Sequence, residues 1–344
     1  MQGAIIGYGT IGMGHLAAYE QMQDLSITAI VDPVLERREQ AANRYPKMRI
    51  FETIENMMDD ADIEFIDICS PPNTHYNYIH QGLANQYHVL CEKPFLLSAK
   101  DYKGILSLID TTKRVLYPCH NYKFAPILQL IMDATKTNSF GQIISGHFRT
   151  LRFGHALGVP EWNPNWRRES AISGGGILRD HGPHSIYMAC HIVGQVPKSV
   201  SCLQGNFLKN GYQDTEDTVL MTLNFNENLS FTINLSWAAN FRNSYYAIFG
   251  TNENIIVEND DLYQTTGNSR VIRRSLVSEF DDPSHKLWFA HMFKDFLGTV
   301  TSPEHQWSLL QEALITSLVV ESAYESAKQG GIQVEIPRPL EEFM

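Results

Sequence analysis

Short apolar runs alternate with amphipathic helical stretches along the first third of the chain. The apolar runs have the length of buried strands and cover 4–6, 27–31, 65–69, 88–91 and 115–117. Segments with a helical spacing of apolar positions separate them, at 14–23, 35–45, 75–85 and 99–112. Strands that alternate with helices predict βαβ units, and therefore a doubly wound parallel sheet with helices on both faces.

The pattern changes after Asn121, and we place a domain boundary there, between 1–121 and 122–344. Alternating apolar and polar positions are common in the second part, as in 218–223. This alternation is typical of a mostly antiparallel sheet with one face exposed or covered by a partner. Strands are predicted at 143–153, 199–204, 217–225, 229–237, 245–249 and 254–258, a hairpin turn at 226–228, and helices at 126–134, 285–297 and 307–328.

A glycine motif follows the first predicted strand and precedes the first predicted helix. Gly7 permits a tight turn, Gly9 lets the backbone approach a pyrophosphate, and Gly12 lets the helix pack close to the strand. Amide groups at the helix start then face the phosphate charge. In this context the motif predicts a Rossmann-type dinucleotide-binding domain, with a turn that binds nothing, or binds another nucleotide, as the alternative. The motif reads Gly7-Tyr8-Gly9-Thr10-Ile11-Gly12.

Asp32 ends the second predicted strand, about 20 residues past the motif. Its carboxylate can accept hydrogen bonds from the hydroxyl groups of the adenosine ribose, and it would repel a 2′-phosphate. The sequence therefore predicts NAD as the cofactor, with NADP less favoured. Arg37, which we count among the cofactor-binding residues, and Arg38 lie nearby in the sequence and would weaken that preference.

Composition limits the classes of partner. The chain has 344 residues, which suggests about two domains, and 38 Asp and Glu against 27 Lys and Arg give a net charge of -11. This balance argues against nucleic acid and anionic membranes as partners. Five cysteines without a C-x-x-C pair are typical of a reduced, intracellular protein. Neither a secretory signal nor a run of about 18 apolar residues is visible, so we expect a cytoplasmic protein.

Two later segments carry candidate catalytic side chains. Lys93 follows Cys91, the last residue of the fourth predicted strand, at the sheet edge where ligands of open α/β sheets bind. Asp180 and His184 are four residues apart, so at a helix start they would share one face. Alternatives remain open: a surface turn for Lys93, a core or capping role for His184, a helix N-cap for Asp180, and a metal site that adds His191. We predict no metal.

The motifs of the chain occur in a distinctive order: the glycine motif, Asp32, Pro71-Pro72-Asn73-Thr74-His75, Glu92-Lys93-Pro94, Trp166-Arg167, and Gly174-Gly175-Gly176 followed by Asp180 and His184. In this order they resemble the glucose-fructose oxidoreductase / inositol dehydrogenase / MocA family over most of the chain. The resemblance implies a Rossmann domain, then a C-terminal α/β domain with a large open sheet, through which a homodimer or homotetramer is expected. It also implies NAD(P)-dependent hydride transfer on sugars, cyclitols or related compounds.

The resemblance also implies which residues surround the cofactor and a sugar-like substrate. By family position, the cofactor is expected to contact Ser70, Pro71, Pro72, Asn73, His75, Glu92, Lys93, Asn121, Trp166 and Arg167, besides the glycine motif. The substrate is expected to contact Lys93, Tyr122, Arg152, Trp162, Asp180 and His184.

The catalytic roles can be assigned from chemistry. Oxidation of a secondary alcohol needs a hydride acceptor, a base for the hydroxyl proton and a group that stabilises the developing alkoxide. His184, with an ordinary pKa of about 6.5, suits the base. Lys93 suits the stabilising cation, and Asp180 suits orientation of the substrate hydroxyl or of Lys93. By resemblance these three match the catalytic Lys, Asp and His of the family.

The chain departs from the family pattern in two places. Tyr122 and Lys123 replace two arginines of the usual Asn-Arg-Arg-Phe run, so we expect unusual substrate contacts there. Tyr187 replaces an Asp commonly found three residues after the catalytic His, which puts the support of His184 in question. A group of arginines could gather around a substrate phosphate or carboxylate, although surface and interface pairing is the interpretation we favour: Arg149, Arg152, Arg167, Arg168 and Arg179.

The sequence thus predicts an NAD(P)-dependent dehydrogenase or reductase that acts on a secondary hydroxyl or ketone of a sugar, cyclitol or sugar derivative, phosphorylated ones included. Two other classes remain open, a non-catalytic regulator that senses a dinucleotide and a glycosidase that uses NAD transiently. The intact set of Lys93, Asp180 and His184 argues against the regulator, because a sensor has no need of it.

Overall fold

The computed structural model describes residues 1–60, 62–208, 214–226, 228–266, 270–275 and 286–338. Glu227, in the predicted hairpin turn, and His285, at a predicted helix start, lie outside these residues. The described residues form two sheets with helices packed against them, and the predicted fold class is confirmed.

The first sheet contains only parallel pairs among the described residues. Its strands are β1 (Gln2–Ile6), β2 (Ser26–Val31), β3 (Arg49–Phe51), β4 (Phe65–Ile68), β5 (His88–Cys91) and β6 (Leu116–Pro118). They lie in the order β3-β2-β1-β4-β5-β6, which is the doubly wound order. Because the chain leaves β1 toward one side and later returns to the other, a crevice opens at the carboxyl ends of β1 and β4.

Helices connect the strands of the first sheet: α1 (Thr10–Tyr19), α2 (Leu35–Arg44), α3 (Ile54–Asp60), α4 (His75–Ala84) and α5 (Tyr102–Thr112). The predicted start of the first helix is wrong by four residues, because the glycine motif itself forms the first turn, with Gly9 as its N-cap. The prediction missed β3 and α3. β3 has only three residues, all partly exposed, so its apolar pattern is too short to be recognised.

The second sheet has nine strands in the described residues and is mostly antiparallel. The strands are β7 (Ile143–Leu151), β8 (Ser199–Gly205), β9 (Thr218–Asn226), β10 (Leu229–Ser236), β11 (Asn243–Gly250), β12 (Asn254–Glu258), β13 (Asp261–Thr266), β14 (Arg270–Ser275) and β15 (Val334–Glu335). They follow the order β14-β13-β12-β11-β7-β10-β9-β8-β15, and β7 pairs with β10 in parallel. The last three strands were not predicted. The remaining helices are α6 (Pro126–Thr135), α7 (Ser170–Ser173), α8 (Ile177–Asp180), α9 (Gly182–Val193), α10 (Lys286–Thr301) and α11 (His305–Lys328).

Helix α10 returns from the second half of the chain and packs against the first sheet. The ring of Phe293 stacks on Tyr19, with 3.9 Å between the ring centroids, and Phe289 lies 4.3 Å from the ring of His15. Phe289 and Phe293 are almost fully buried in the apolar cluster behind β1, β2 and β4. The core of the N-terminal sheet is therefore completed by residues far away in the sequence. Within the described residues, none of the helices combines the length and apolar content needed to cross a bilayer.

Candidate active site

A groove runs along the carboxyl ends of β1, β2 and β4 and continues beneath a loop of the second sheet. Many of the residues predicted to bind a cofactor line this groove: Gly7, Gly9, Thr10, Ile11, Asp32, Arg37, Ser70, Pro71, Asn73, Trp166 and Arg167. Trp162, predicted as a substrate contact, lines the same groove. The groove thus gathers the glycine motif and the Trp-Arg pair on opposite sides.

The glycine motif has the geometry of a phosphate cradle. Gly7 has a φ of +100°, which an L side chain rarely adopts. A Cβ added to Gly12 would lie 2.1 Å from the carbonyl oxygen of Gly7, whereas one added to Gly9 would meet no atom within 4 Å. Helix α1 starts at Gly9 without a side-chain cap, so its first amide groups are available to an anion. These features fit the pyrophosphate of a dinucleotide.

Asp32 directly follows β2, at the position where this fold is expected to hold the adenosine of a dinucleotide. Its carboxylate accepts hydrogen bonds from the main-chain amides of Tyr8 and Val34, at 2.8 and 2.9 Å. Burial raises the pKa of Asp32, while these two amides oppose the rise. Arg37 donates to the carbonyl of Tyr8, and Arg38 donates to the carbonyl of Asp32 itself. Both guanidinium groups are therefore engaged by protein oxygens.

The other residues predicted to bind the cofactor do not line this groove: Tyr8, Gly12, Pro72, His75, Glu92, Lys93 and Asn121. The two ring nitrogens of His75 lie 3.0 Å from the carbonyl of Pro94 and 2.9 Å from that of Ser70. His75 thereby joins the loop after β4 to the loop after β5. Burial lowers the pKa of His75, and the uncharged ring can donate to only one of these two carbonyls at a time.

Lys93 and Asp180 form an ion pair at the carboxyl edge of β5. Nζ of Lys93 lies 2.9 Å from Oδ1 of Asp180 and 3.1 Å from its main-chain oxygen. Burial opposes ionisation of Asp180, but Lys93, followed by Arg167 and His181, holds its pKa well below the usual range. Arg167 Nε lies 3.7 Å from the same carboxylate oxygen. Since Arg167 also lines the groove, this contact joins the ion pair to the cofactor site.

Asp180 and His184 do not share one helix. Asp180 is the last residue of α8, and α9 begins at Gly182 after a break at His181. Asp180 therefore ends a helix and does not cap the next one, whose N-cap position is His181. The break turns both side chains toward Lys93, which perturbs the pKa of each.

His184 is buried and is held by Tyr187. Nδ1 of His184 lies 2.8 Å from the Tyr187 hydroxyl, which also accepts a hydrogen bond from the main-chain amide of Tyr122. Nε2 of His184 has no hydrogen-bond partner among the described residues. Burial lowers the pKa of His184 well below its ordinary value, and the charges of Lys93 and His181 lower it further. Tyr187, which stands where the family commonly has an Asp, thus contacts the histidine that this Asp would be expected to support.

A buried network lies beneath this cluster and was not predicted. Nδ1 of His15 lies 2.8 Å from Oδ2 of Asp67, and Nε2 lies 3.2 Å from Oε1 of Glu92. Glu92 in turn accepts the main-chain amide of Lys93 at 3.0 Å. Burial disfavours charge on His15, but Asp67 and then Cys69 outweigh it and raise its pKa well above the ordinary value. One sequence signal was available: Asp67 lies inside an apolar strand and needs a buried partner.

Within the described part of the chain, the group whose atoms could meet around a metal is His15, Asp67 and Cys69. These atoms already contact one another: Cys69 Sγ lies 3.4 Å from His15 Nδ1. Burial raises the pKa of the Cys69 thiol, so it stays protonated and is a poor ligand. The possible metal site of Asp180, His184 and His191 is not formed by the described side chains.

The five arginines noted in the sequence point to different places. Arg149 pairs with Glu258, Arg168 is buried against Thr215, and Arg179 lies over the ring of Tyr324. Arg152 and Arg167 remain near the candidate catalytic cluster, which is formed by Lys93, Asp180 and His184, and each of the two arginines perturbs the pKa of His181. A single five-arginine anion site is therefore not present.

The fold and this site define an NAD-binding oxidoreductase, and comparison with known proteins agrees. Residues 1–120 match the oxidoreductase family with an NAD-binding Rossmann fold, and residues 128–256 match the GFO/IDH/MocA C-terminal domain. The chain belongs to this GFO/IDH/MocA oxidoreductase family. The predicted family and the predicted enzyme class, which acts on CH–OH groups, are confirmed.

Individual relatives are distant but extend over most of the chain. Levoglucosan dehydrogenase of Pseudarthrobacter phenanthrenivorans is 24% identical over 314 residues, which cover 82% of this chain and 80% of that protein. The 2,7-anhydro-N-acetylneuraminate hydratase of Escherichia coli is 25% identical over 274 residues, or 78% and 70% of the two chains. The structure of levoglucosan dehydrogenase in complex with NADH and levoglucosan superposes with a TM-score of 0.83 at 18% identity, over 98% of this chain and 100% of that one. This structural superposition shows that the two proteins share a fold.

Proposed function

We propose that the protein oxidises a secondary hydroxyl of a sugar, cyclitol or sugar derivative, or reduces the matching ketone. The observation that carries this proposal is the convergence of Lys93, Asp180 and His184 beside the dinucleotide groove. A nicotinamide dinucleotide bound at the glycine motif would supply the hydride acceptor or donor. The named activity of relatives such as levoglucosan dehydrogenase supports a sugar as the substrate.

The hydrogen bonds of the cluster suggest a role for each side chain. An ammonium has three N–H donors, and Lys93 uses two on Asp180, so the third is free for the substrate oxygen. With the ring proton of His184 on Nδ1 and donated to Tyr187, Nε2 keeps a lone pair that can take the hydroxyl proton. Asp180 holds Lys93 in place through these two contacts.

The direct test is an assay of NADH formation across sugars, cyclitols and sugar phosphates. Net NADH with one of them supports the proposed dehydrogenase. Tight NAD binding without turnover of any member would favour the regulator. Release of the aglycone from an aryl glycoside without net NADH would favour the glycosidase.

The low pKa of His184 predicts an unusual pH profile. A base whose pKa is lowered stays unprotonated to lower pH, so the acid limb of kcat/KM for oxidation should lie below about pH 6.5. Tyr187→Phe removes the hydroxyl at Nδ1 and should move this limb. An acid limb above pH 6.5 that disappears in His184→Gln would contradict the assignment.

Asp32 is proposed to select NAD over NADP. Replacement by Ser removes the carboxylate that faces the ribose, and we expect the ratio of kcat/KM for NADP to that for NAD to rise about tenfold or more. Glu36→Gln is the matched control, because it removes one negative charge from an exposed position at the start of α2. An equal change in both variants would show a general charge effect and not recognition by Asp32.

We also propose association of the chain into a homodimer or homotetramer through the open face of the second sheet, in the cytoplasm. Leu203 and Leu220 are register partners on β8 and β9 and are 55% and 51% exposed. Exposed apolar pairs of this kind favour a covered face.

A further inference from the structure

Arg152 is a cation whose described partners are all neutral. It follows directly after β7, and its Nη1 donates to the main-chain oxygens of Leu151 and Asn243, at 2.8 and 2.9 Å. Nη2 donates to Ser244 Oγ at 3.0 Å. An arginine has five N–H donors, so Nε–H and one Nη2–H are left without an acceptor among the described residues.

The surroundings of Arg152 repel rather than stabilise its charge. Burial lowers its pKa, and the charge of Arg242 lowers it further, while Tyr122 and Tyr246 act in the opposite direction. Among the described residues, Arg152 forms no ion pair with a carboxylate. Arg152 is partly buried, and withdrawing a cation from water without a counter-charge is costly. The cost is offset when an anion binds there.

The location of Arg152 points to the substrate and not to the cofactor. Tyr122, which Arg152 faces, lies 4.1 Å from the ring of His184, measured between centroids. Arg152 also lowers the pKa of His181, the neighbour of Asp180. By contrast, it does not line the groove that holds the glycine motif, where the phosphates of a dinucleotide belong.

The catalytic cluster has an excess of positive charge as well. Lys93 and Arg167 share one carboxylate, that of Asp180. Arg152 adds a third cation beside this cluster, where it lowers the pKa of His181. A neutral sugar leaves this excess uncompensated, whereas a sugar with a negative group neutralises part of it.

We propose, on the basis of the proposed function, that the substrate carries a carboxylate or phosphate group and that Arg152 binds it. Nε–H and Nη2–H of a guanidinium can engage two oxygens of such a group. The substrate class is therefore a sugar acid or a sugar phosphate. The reacting hydroxyl lies at Lys93 and His184, and the anionic group lies toward β7 and β11.

The test compares neutral and anionic versions of the same sugar at constant ionic strength. Glucose, galactose and mannose are each assayed beside their uronic acid and their 6-phosphate, with NAD for turnover and with NADH for thermal stabilisation. We expect an anionic member to be the best substrate, and the uronate and phosphate arms identify which anion it is. Arg152→Gln should raise the KM of that member about 10- to 100-fold, with a smaller change in kcat. Arg152→Lys, which keeps the charge, should recover part of the loss.

Arg149→Gln is the matched control, because Arg149 lies on β7, three residues before Arg152, but pairs with Glu258. It should leave the KM unchanged. Two results would overturn the inference while the proposed function stands. One is a neutral sugar that is turned over as well as its anionic partners. The other is an equal loss of activity on neutral and anionic sugars in Arg152→Gln. If none of the sugars, anionic or neutral, is turned over and none stabilises the protein, the result would count against the proposed function itself.

Discussion

Replacing Lys93 with Met is expected to lower kcat for hydride transfer by about 10²- to 10⁴-fold, with little change in the affinity for NADH. We propose that the alkoxide develops beside Lys93, which brings a positive charge there and keeps one N–H without an acceptor among the described residues. It does not line the dinucleotide groove, so cofactor binding should survive. Rates are measured by NADH absorbance with a verified substrate, and the affinity by NADH fluorescence.

Lys103→Met is the control for Lys93→Met, because Lys103 is an exposed lysine on α5. Asp180→Asn should lower kcat too, since it removes the carboxylate that orients Lys93. The thermal midpoint of each variant separates loss of chemistry from loss of folding. Unchanged kcat in a folded Lys93→Met variant would exclude Lys93 from the catalytic group.

Replacing His15 with Leu is expected to lower the free energy of unfolding by about 3–5 kcal/mol. His15 lies between Asp67 and Glu92, is fully buried, and has a raised pKa. Leu would leave both acidic groups buried without their cation. Because Glu92 also accepts the main-chain amide of Lys93, catalysis should fall as well. Chemical denaturation measures the loss, and His80→Gln, at an exposed position of α4, is the control.

The contribution of His15 to the free energy of unfolding should decrease as the pH rises. Its pKa is raised in the folded protein, so its stabilising effect is fully present below the unfolded pKa of about 6.5. The effect is lost as the pH rises through the folded value. The difference in unfolding free energy between wild type and His15→Leu should therefore narrow as the pH increases. The double variant His15→Leu/Asp67→Leu should recover part of the stability, and a purely additive result would exclude the ion pair as the cause.

Several site residues could be predicted because their signals are local in the sequence. The glycine motif needs one strand, one turn and one helix in succession, and all three are read from neighbouring residues. Asp32 follows from its distance to that motif. Lys93 follows from its position two residues past the end of a strand, because the carboxyl ends of parallel strands meet at one edge.

Other parts of the site depend on contacts between distant residues. The sequence raised doubt about the support of His184, and the structure places the Tyr187 hydroxyl against it, which a pattern of residue types does not reveal. His15 and Glu92 are 77 residues apart and meet only in the folded protein. Arg152 and Arg179 look alike in the sequence, yet one faces the catalytic cluster and the other faces Tyr324.

The sequence by itself determined most of the order of the elements, the parallel first sheet and the glycine motif at its edge, and it nominated Lys93, Asp180 and His184 as candidates. These depend on backbone propensity and on spacing within one strand-turn-helix unit. Only the tertiary structure decided that α10 completes the core of the first sheet, that the His15 network lies under Lys93, and that Arg152 has no counter-charge among the residues described. Burial and charge compensation depend on which distant side chains come together, and for that reason the fold itself was needed to see them.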